Sequence, residues 1–332
     1  MKRVIKHMVH STRILAACCF LTTSLSATLD AQESVFSFPS ESTDVASIAM
    51  GGNISLSPSQ PLYSLPTLSL NGIEKWSASY SAVAIPLTKN ASGATHSFAG
   101  CYRIRRGLDI SLGGRVRRSL PVELTSETGN VFGHLTPSEG SVDLAVAMAL
   151  SRKLSGYIRG SYLMSSVGVT ARGVAASVGV AYEDNFRLAD DQVVYSTMAL
   201  SLDNIGPKLS YRGRTSGGST DVRGKVSLPS ALALRAGLHT ALTDDHTLGL
   251  ALSGGYFYHL RPYYGLYGGV GGEYLWRQMI SLRIGASVQM RHMIYSAGVG
   301  AHYKGLFLQT AYTYSPDMQQ RGTLSLGLSY TI

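Results

Sequence analysis

From Trp76 to Ile332 the chain repeats one theme, segments of nine to thirteen residues in which large apolar side chains alternate with small or polar ones. A period of two belongs to a β-strand, whose successive side chains point to opposite faces. In the stretch 280–291, Ile280, Leu282, Ile284, Ala286, Val288 and Met290 share one face; Ser281, Arg283, Gly285, Ser287, Gln289 and Arg291 share the other. The same split separates Val142, Leu144, Val146, Met148 and Leu150 from Asp143, Ala145, Ala147 and Ala149. This patterning predicts fourteen strands, near 76–85, 94–104, 107–118, 141–151, 153–165, 173–182, 193–203, 230–241, 246–258, 265–275, 280–291, 294–303, 306–315 and 322–332.

A soluble sandwich would alternate in the same way, so three further features decide between it and a membrane barrel. The segments have the length of tilted membrane-spanning strands, about ten residues, whereas soluble strands average about five or six. Tyr and Trp collect near segment ends, at Trp76, Tyr182, Tyr256, Tyr258, Tyr274, Trp276, Tyr303, Tyr312 and Tyr314, as interfacial girdles require. The last strand carries Tyr330 and Ile332 on its apolar face, in the manner of chains inserted into outer membranes. The predicted fold class is therefore all-β, a 14-stranded antiparallel transmembrane β-barrel spanning 76–332. With the N-terminus periplasmic, the long connections 119–140 and 204–229 both fall on the extracellular side, and short turns such as Arg105-Arg106 and Lys304-Gly305 on the other. This register turns Arg103, Arg115, Arg117, Arg159, Arg235, Arg283 and Arg291, with Asp109, Asp143, Asp203 and Glu273, toward the lumen, since facing lipid is costly for charge.

Composition agrees: 45% of the 332 residues are hydrophobic and only 15% charged, against about 25% in soluble domains. Residues 1–31 read as a secretory signal peptide, with Lys2, Arg3, Lys6 and Arg13 before the apolar run Ile14–Leu21 and cleavage after Ala31 or Ala27. Its loss lowers the formal charge from +9 to +6, because four basic residues and Asp30 leave with it. The remaining Lys and Arg are dispersed, so nucleic acid is not an expected partner. Residues 32–75, with Pro39, Pro58, Pro61 and Pro66, break the barrel pattern and are expected to form an N-terminal hatch or a periplasmic leader.

Little covalent chemistry is expected. Cys101 stands alone after removal of the signal, the histidines lack ligand spacing, and no cofactor or metal is predicted. Gly268-Gly269-Val270-Gly271-Gly272 lies within a strand with no helix behind it, so its glycines read as relief of wall crowding or as room for curvature, not as a phosphate cradle. No G-x-S-x-G elbow is present, and the chain is not read as an enzyme.

Three stretches carry a resemblance. Ala46-Ser47-Ile48-Ala49-Met50-Gly51-Gly52-Asn53 resembles the N-terminal motif of the PorV and PorQ family of the type IX secretion system, within the FadL-like group of outer-membrane barrels. Asn204-Ile205-Gly206-Pro207-Lys208-Leu209-Ser210-Tyr211, followed by Leu228-Pro229, is similar to a second family segment, as is Gly271-Gly272-Glu273-Tyr274-Leu275 leading into Ser281–Gly285. Ser64-Leu65-Pro66-Thr67 departs from the family's Asn-Pro-Ala. The resemblance implies an outer-membrane component that binds secretion-system proteins and C-terminal-domain cargo in a lipid and lipopolysaccharide environment. Met50, Gly51, Gly52, Asn204, Gly206 and Pro207 are its motif residues. Glu127, Phe132, His134, Arg212, Arg214 and Arg223, in the two long connections, are the candidate partner-binding residues. A FadL-like transporter of hydrophobic solutes is the alternative.

Overall fold

The computed structural model describes residues 36–56, 60, 62–64, 75–86, 93–119, 121–125, 131–188, 192–214, 221–258, 265–289, 292–316 and 322–332. Glu127, Arg291 and the expected signal peptide lie outside them. Among the described residues are eighteen strands: β1 (Trp76–Pro86), β2 (Thr95–Arg105), β3 (Leu108–Arg118), β4 (Val122–Thr125), β5 (Val131–Leu135), β6 (Ser138–Ala149), β7 (Leu154–Ser166), β8 (Thr170–Arg187), β9 (Val193–Ile205), β10 (Leu209–Arg214), β11 (Asp221–Val226), β12 (Ala231–Thr243), β13 (His246–Phe257), β14 (Leu266–Trp276), β15 (Ile280–Gln289), β16 (His292–Tyr303), β17 (Leu306–Tyr314) and β18 (Gly322–Thr331).

Fourteen of these close a single antiparallel barrel. Each pairs with its neighbour in chain order, β3 passing to β6 and β9 to β12, and β1 pairs with β18 to complete the ring. All fourteen match the predicted segments, because a one-residue slip would turn every serine and arginine of a strand outward. Closure leaves no unpaired sheet edge, the condition for a sheet in lipid.

The two long connections are not plain loops, as expected, but carry hairpins. β4 pairs with β5, and β10 with β11 in the register Leu209↔Val226 to Arg214↔Asp221. These strands are too short and irregular to give a legible alternation. β8 is longer than predicted, because its ends continue the ladders with β7 and β9 past the apolar band.

The two faces of the wall divide as the alternation requires. Outward positions are large and apolar, such as Ile158 at 60% exposed and Ile284 at 69%. Inward positions are small or polar, with Ser77, Ser79 and Ser81 on β1 and Ser155, Ser161 and Ser165 on β7 all buried. Nearly every inward charge finds a partner across the lumen wall, as buried charge must. Arg103 bonds Asp109 at 2.8 Å, Arg283 bonds Glu273 at 2.9 Å, and Arg115 approaches Asp143 at 3.5 Å.

Candidate functional site

Described residues of the N-terminal segment lie against the inner wall of the barrel. A five-residue helix, α1 (Val45–Ala49), starts at Asp44, whose carboxylate accepts the Ser47 amide, and ends at Met50. Gly51 and Gly52 follow with φ of +69° and +82°, a left-handed turn that glycine adopts without strain, and Asn53 Nδ2 bonds back to the Met50 carbonyl. The motif Ala46–Asn53 is thus a tight helix-ending turn.

The wall is hollowed to receive that turn. A Cβ on Gly271 would strike the Met50 carbonyl, one on Gly285 the Gly51 amide, and one on Gly269 the Gly51 carbonyl. These glycines of β14 and β15 line a trough one backbone deep, which is the relief of crowding read from the Gly268–Gly272 run. Hydrogen bonds pin the segment along its length. Ser81 Oγ donates to the Thr43 carbonyl at 2.8 Å, Ser296 Oγ donates to the Ala49 carbonyl and accepts from Gly51 N, and Glu273 accepts from Ser55 Oγ and Leu56 N. Glu41 pairs with Arg117, which also holds Glu139. Farther on, Tyr63 donates to Asp143 at 2.8 Å, while Leu62 packs against Ala99, Cys101 and Ala145, leaving Cys101 a small buried wall residue.

Among the described residues, two cavities flank this segment. The one toward the long connections has a volume of 560 Å³ and is lined by Arg115, Tyr157, Arg159, Asn204, Arg235 and Asn53 among others. The one toward the short turns has 520 Å³, with Met50, Ser55, Leu56, His239, Glu273 and Phe307 on its surface. Ile54 and Ser55 line both.

Asn204, Gly206 and Pro207 mark a second structural feature. Asn204 takes φ of +55°, and the β8–β9 ladder shifts register between Ala176 and Val178. Gly206 lies so close to the Val174 carbonyl that a side chain would collide. Beyond that corner the upper part of β8 loses β9 as a partner; β10 takes its place through Arg212↔Thr170. Leu209 and Leu228 are buried there with Phe36, Phe38, Leu163 and Ala175. The family motif therefore builds a corner in the wall.

The candidate partner-binding residues sit on the hairpins. His134 is exposed on β5, and the backbones of Phe132, Arg212, Arg214 and Arg223 belong to β5, β10 and β11, with Arg212 paired to Arg223. The hairpins that carry these five residues lie in the long connections. Sequence reasoning missed Asn53, Tyr63 and Glu41, because only the folded barrel shows what the N-terminal segment touches. Among the described residues no helix is long and apolar enough to cross a membrane, which does not bear on a strand-built crossing, and no group of acidic, His and Cys side chains could hold a metal.

No family model matches this chain, and no curated protein does. Solved structures do. The toluene transporter TodX of Pseudomonas putida aligns with a TM-score of 0.54 at 13% identity over 90% of this chain and 99% of its own. The toluene transporter TbuX of Ralstonia pickettii aligns with a TM-score of 0.53 at 13% identity, covering 89% and 100%, and the CymD monoaromatic hydrocarbon channel at 0.51, 12% identity, covering 87% and 96%. At such identity the likeness establishes a shared fold, the closed antiparallel barrel.

Proposed function

We propose that this chain is an outer-membrane transport barrel, exported through a cleaved leader, which moves a small solute through a lumen gated by its own N-terminal segment. The observation that carries this reading is the pair of cavities, 560 and 520 Å³, flanking a chain segment docked in a glycine trough. A scaffold needing only rigidity would be served by apolar filling, whereas pockets of this size accommodate ligands. The fold shared with hydrocarbon transporters supports it.

Tethering the segment tests the proposal. Thr95 Oγ1 donates to Glu41 Oε2 at 3.2 Å, so thiols at these two positions come within reach of a bifunctional methanethiosulfonate linker. Glu41→Cys with Thr95→Cys, in a Cys101→Ser background, is expected to block solute efflux from proteoliposomes when bridged and to release it on reduction. Equal efflux in both states, with the bridge quantitatively formed, would sink the gated passage.

A second reading, a partner-binding barrel of type IX secretion, rests on the resemblance. One observation favours it: both long connections are built as hairpins on one side, a surface able to present Arg212, Arg214, Arg223 and His134 to a protein. Affinity capture from native outer membranes in mild detergent separates the readings, since recovery of cargo or attachment subunits is expected only from the second.

A further inference from the structure

The lumen of this barrel is not built like a hydrocarbon pore. Ten of the residues around the 560 Å³ cavity are serines, and the aromatic surface is confined to Tyr63, Tyr157, Phe257 and Tyr267. Its charges form an alternating row across the wall: Arg115, Asp143, Arg159, Asp203, Arg235. Arg115 Nε stands 3.5 Å from Asp143, Arg235 Nη2 stands 4.0 Å from Asp203, and Tyr157 donates to Asp203 at 3.3 Å. Glu41 and Asp44 line the same cavity, and Arg117 bridges Glu41 and Glu139. Cations and carboxylates are thus interleaved around it, with no cluster of one sign among the described residues to hold an ion.

Hydrogen-bonding capacity, by contrast, is left over, and in both senses. Arg159 is nine-tenths buried; its Nη2 donates to Ser177 Oγ at 3.1 Å, but its Nε has no hydrogen-bond partner. Arg115, 3% exposed, stacks against Phe38 and Tyr63 and leaves Nη2 unmatched. Two acceptors are open as well, Oδ1 of Asn53 and Oδ1 of Asn204, on side chains 1% and 3% exposed whose amide nitrogens are engaged by Met50 and Pro39 carbonyls. All four residues line the one cavity. The ten serines, the asparagines and the arginines of this lining supply both donors and acceptors, so the cavity matches a solute that brings both. A carboxylate brings acceptors only and an aromatic hydrocarbon neither, whereas each hydroxyl can donate and accept.

From these observations we infer that the cavity is a binding site for a neutral polyhydroxylated solute of monosaccharide to disaccharide size. Its hydroxyls meet Arg159, Arg115, Asn53 and Asn204, and its ring lies among Tyr157, Tyr267 and Phe257. The inference rests on the transport reading, for which it supplies the class of solute.

Equilibrium dialysis of the purified mature barrel in detergent tests it, with radiolabelled sucrose, benzoate and toluene as separate probes. Saturable sucrose binding in preference to the other two is expected, weakened about tenfold by Arg159→Met, which removes hydrogen bonds to a charged donor. Asn204→Gly keeps the positive φ and deletes only the amide, so it serves as a second variant if Arg159→Met does not fold; it too is expected to weaken sucrose. Preference for benzoate or toluene, no saturable sucrose binding, or sucrose binding unchanged in both folded variants would overturn the site. The two proposals fail separately: sucrose bound but never released across proteoliposomes refutes the passage, and efflux without saturable binding refutes the site.

Discussion

Glycine and glutamate set the residue-scale behaviour of the docked segment. Gly271 is where the wall meets the Met50 carbonyl, so Gly271→Val leaves that carbonyl no room. The variant is expected to keep its barrel, seen as faster migration of unheated samples on gels, while limited proteolysis cuts the segment 43–56 at least several-fold faster than in the parent. Glu41 makes docking depend on pH. Burial pushes its carboxyl above the ordinary 4.5, and this outweighs the opposing pull of the Arg117 charge and the hydrogen bonds from Arg117 and Thr95. The folded state then holds the proton more tightly than the unfolded chain. The contribution to stability is complete below pH 4.5 and is lost as pH rises through the folded value. Proteolysis of the segment should accordingly be slower near pH 5 than at pH 8 after correction for protease activity, and Glu41→Gln should flatten the difference.

At the scale of elements, two contacts hold the segment and the corner in place. Glu273 on β14 is fully buried against Arg283 on β15 and also accepts from Ser55 and Leu56. Removing one partner of such a pair strands the other, so Glu273→Ala is expected to lower stability by about 3–5 kcal/mol, read from the urea midpoint of gel mobility. Leu209 at the start of β10 closes the corner where β9 leaves β8, and Leu209→Ala should cost about 2–5 kcal/mol by the same measurement. A change below about 1 kcal/mol would mean that the corner is not packed as described. Sequence periodicity recovered all fourteen barrel strands because each must keep one face in lipid over its whole length. It passed over β4, β5, β10 and β11, of four to six residues, since strands this short show too few alternations to stand out. Asn204-Ile205-Gly206-Pro207 stood out as a motif, yet its role as a wall corner needs β8 beside it.

For the whole molecule, the outward apolar surface is the feature that fits the proposed place of the barrel in a bilayer. Ile284 sits mid-strand on β15 at 69% exposed, and Ile284→Arg is expected to cost about 2–4 kcal/mol in lipid, with a much smaller change for the surface residue His134→Arg. Equal effects at both positions would contradict membrane burial of the outer face. The alternation of side chains along the chain was enough by itself to determine strand number, register and the inward set of arginines and acids, because lipid outside and a polar lumen inside impose a period of two that neighbouring strands cannot relax. Which of those inward groups remain unmatched, where the glycine trough accepts Met50 and Gly51, and which residues line each cavity were decided only in the closed barrel. These depend on contacts such as Gly51 with Ser296, 245 positions apart in the chain, and no local pattern encodes a partner at that distance.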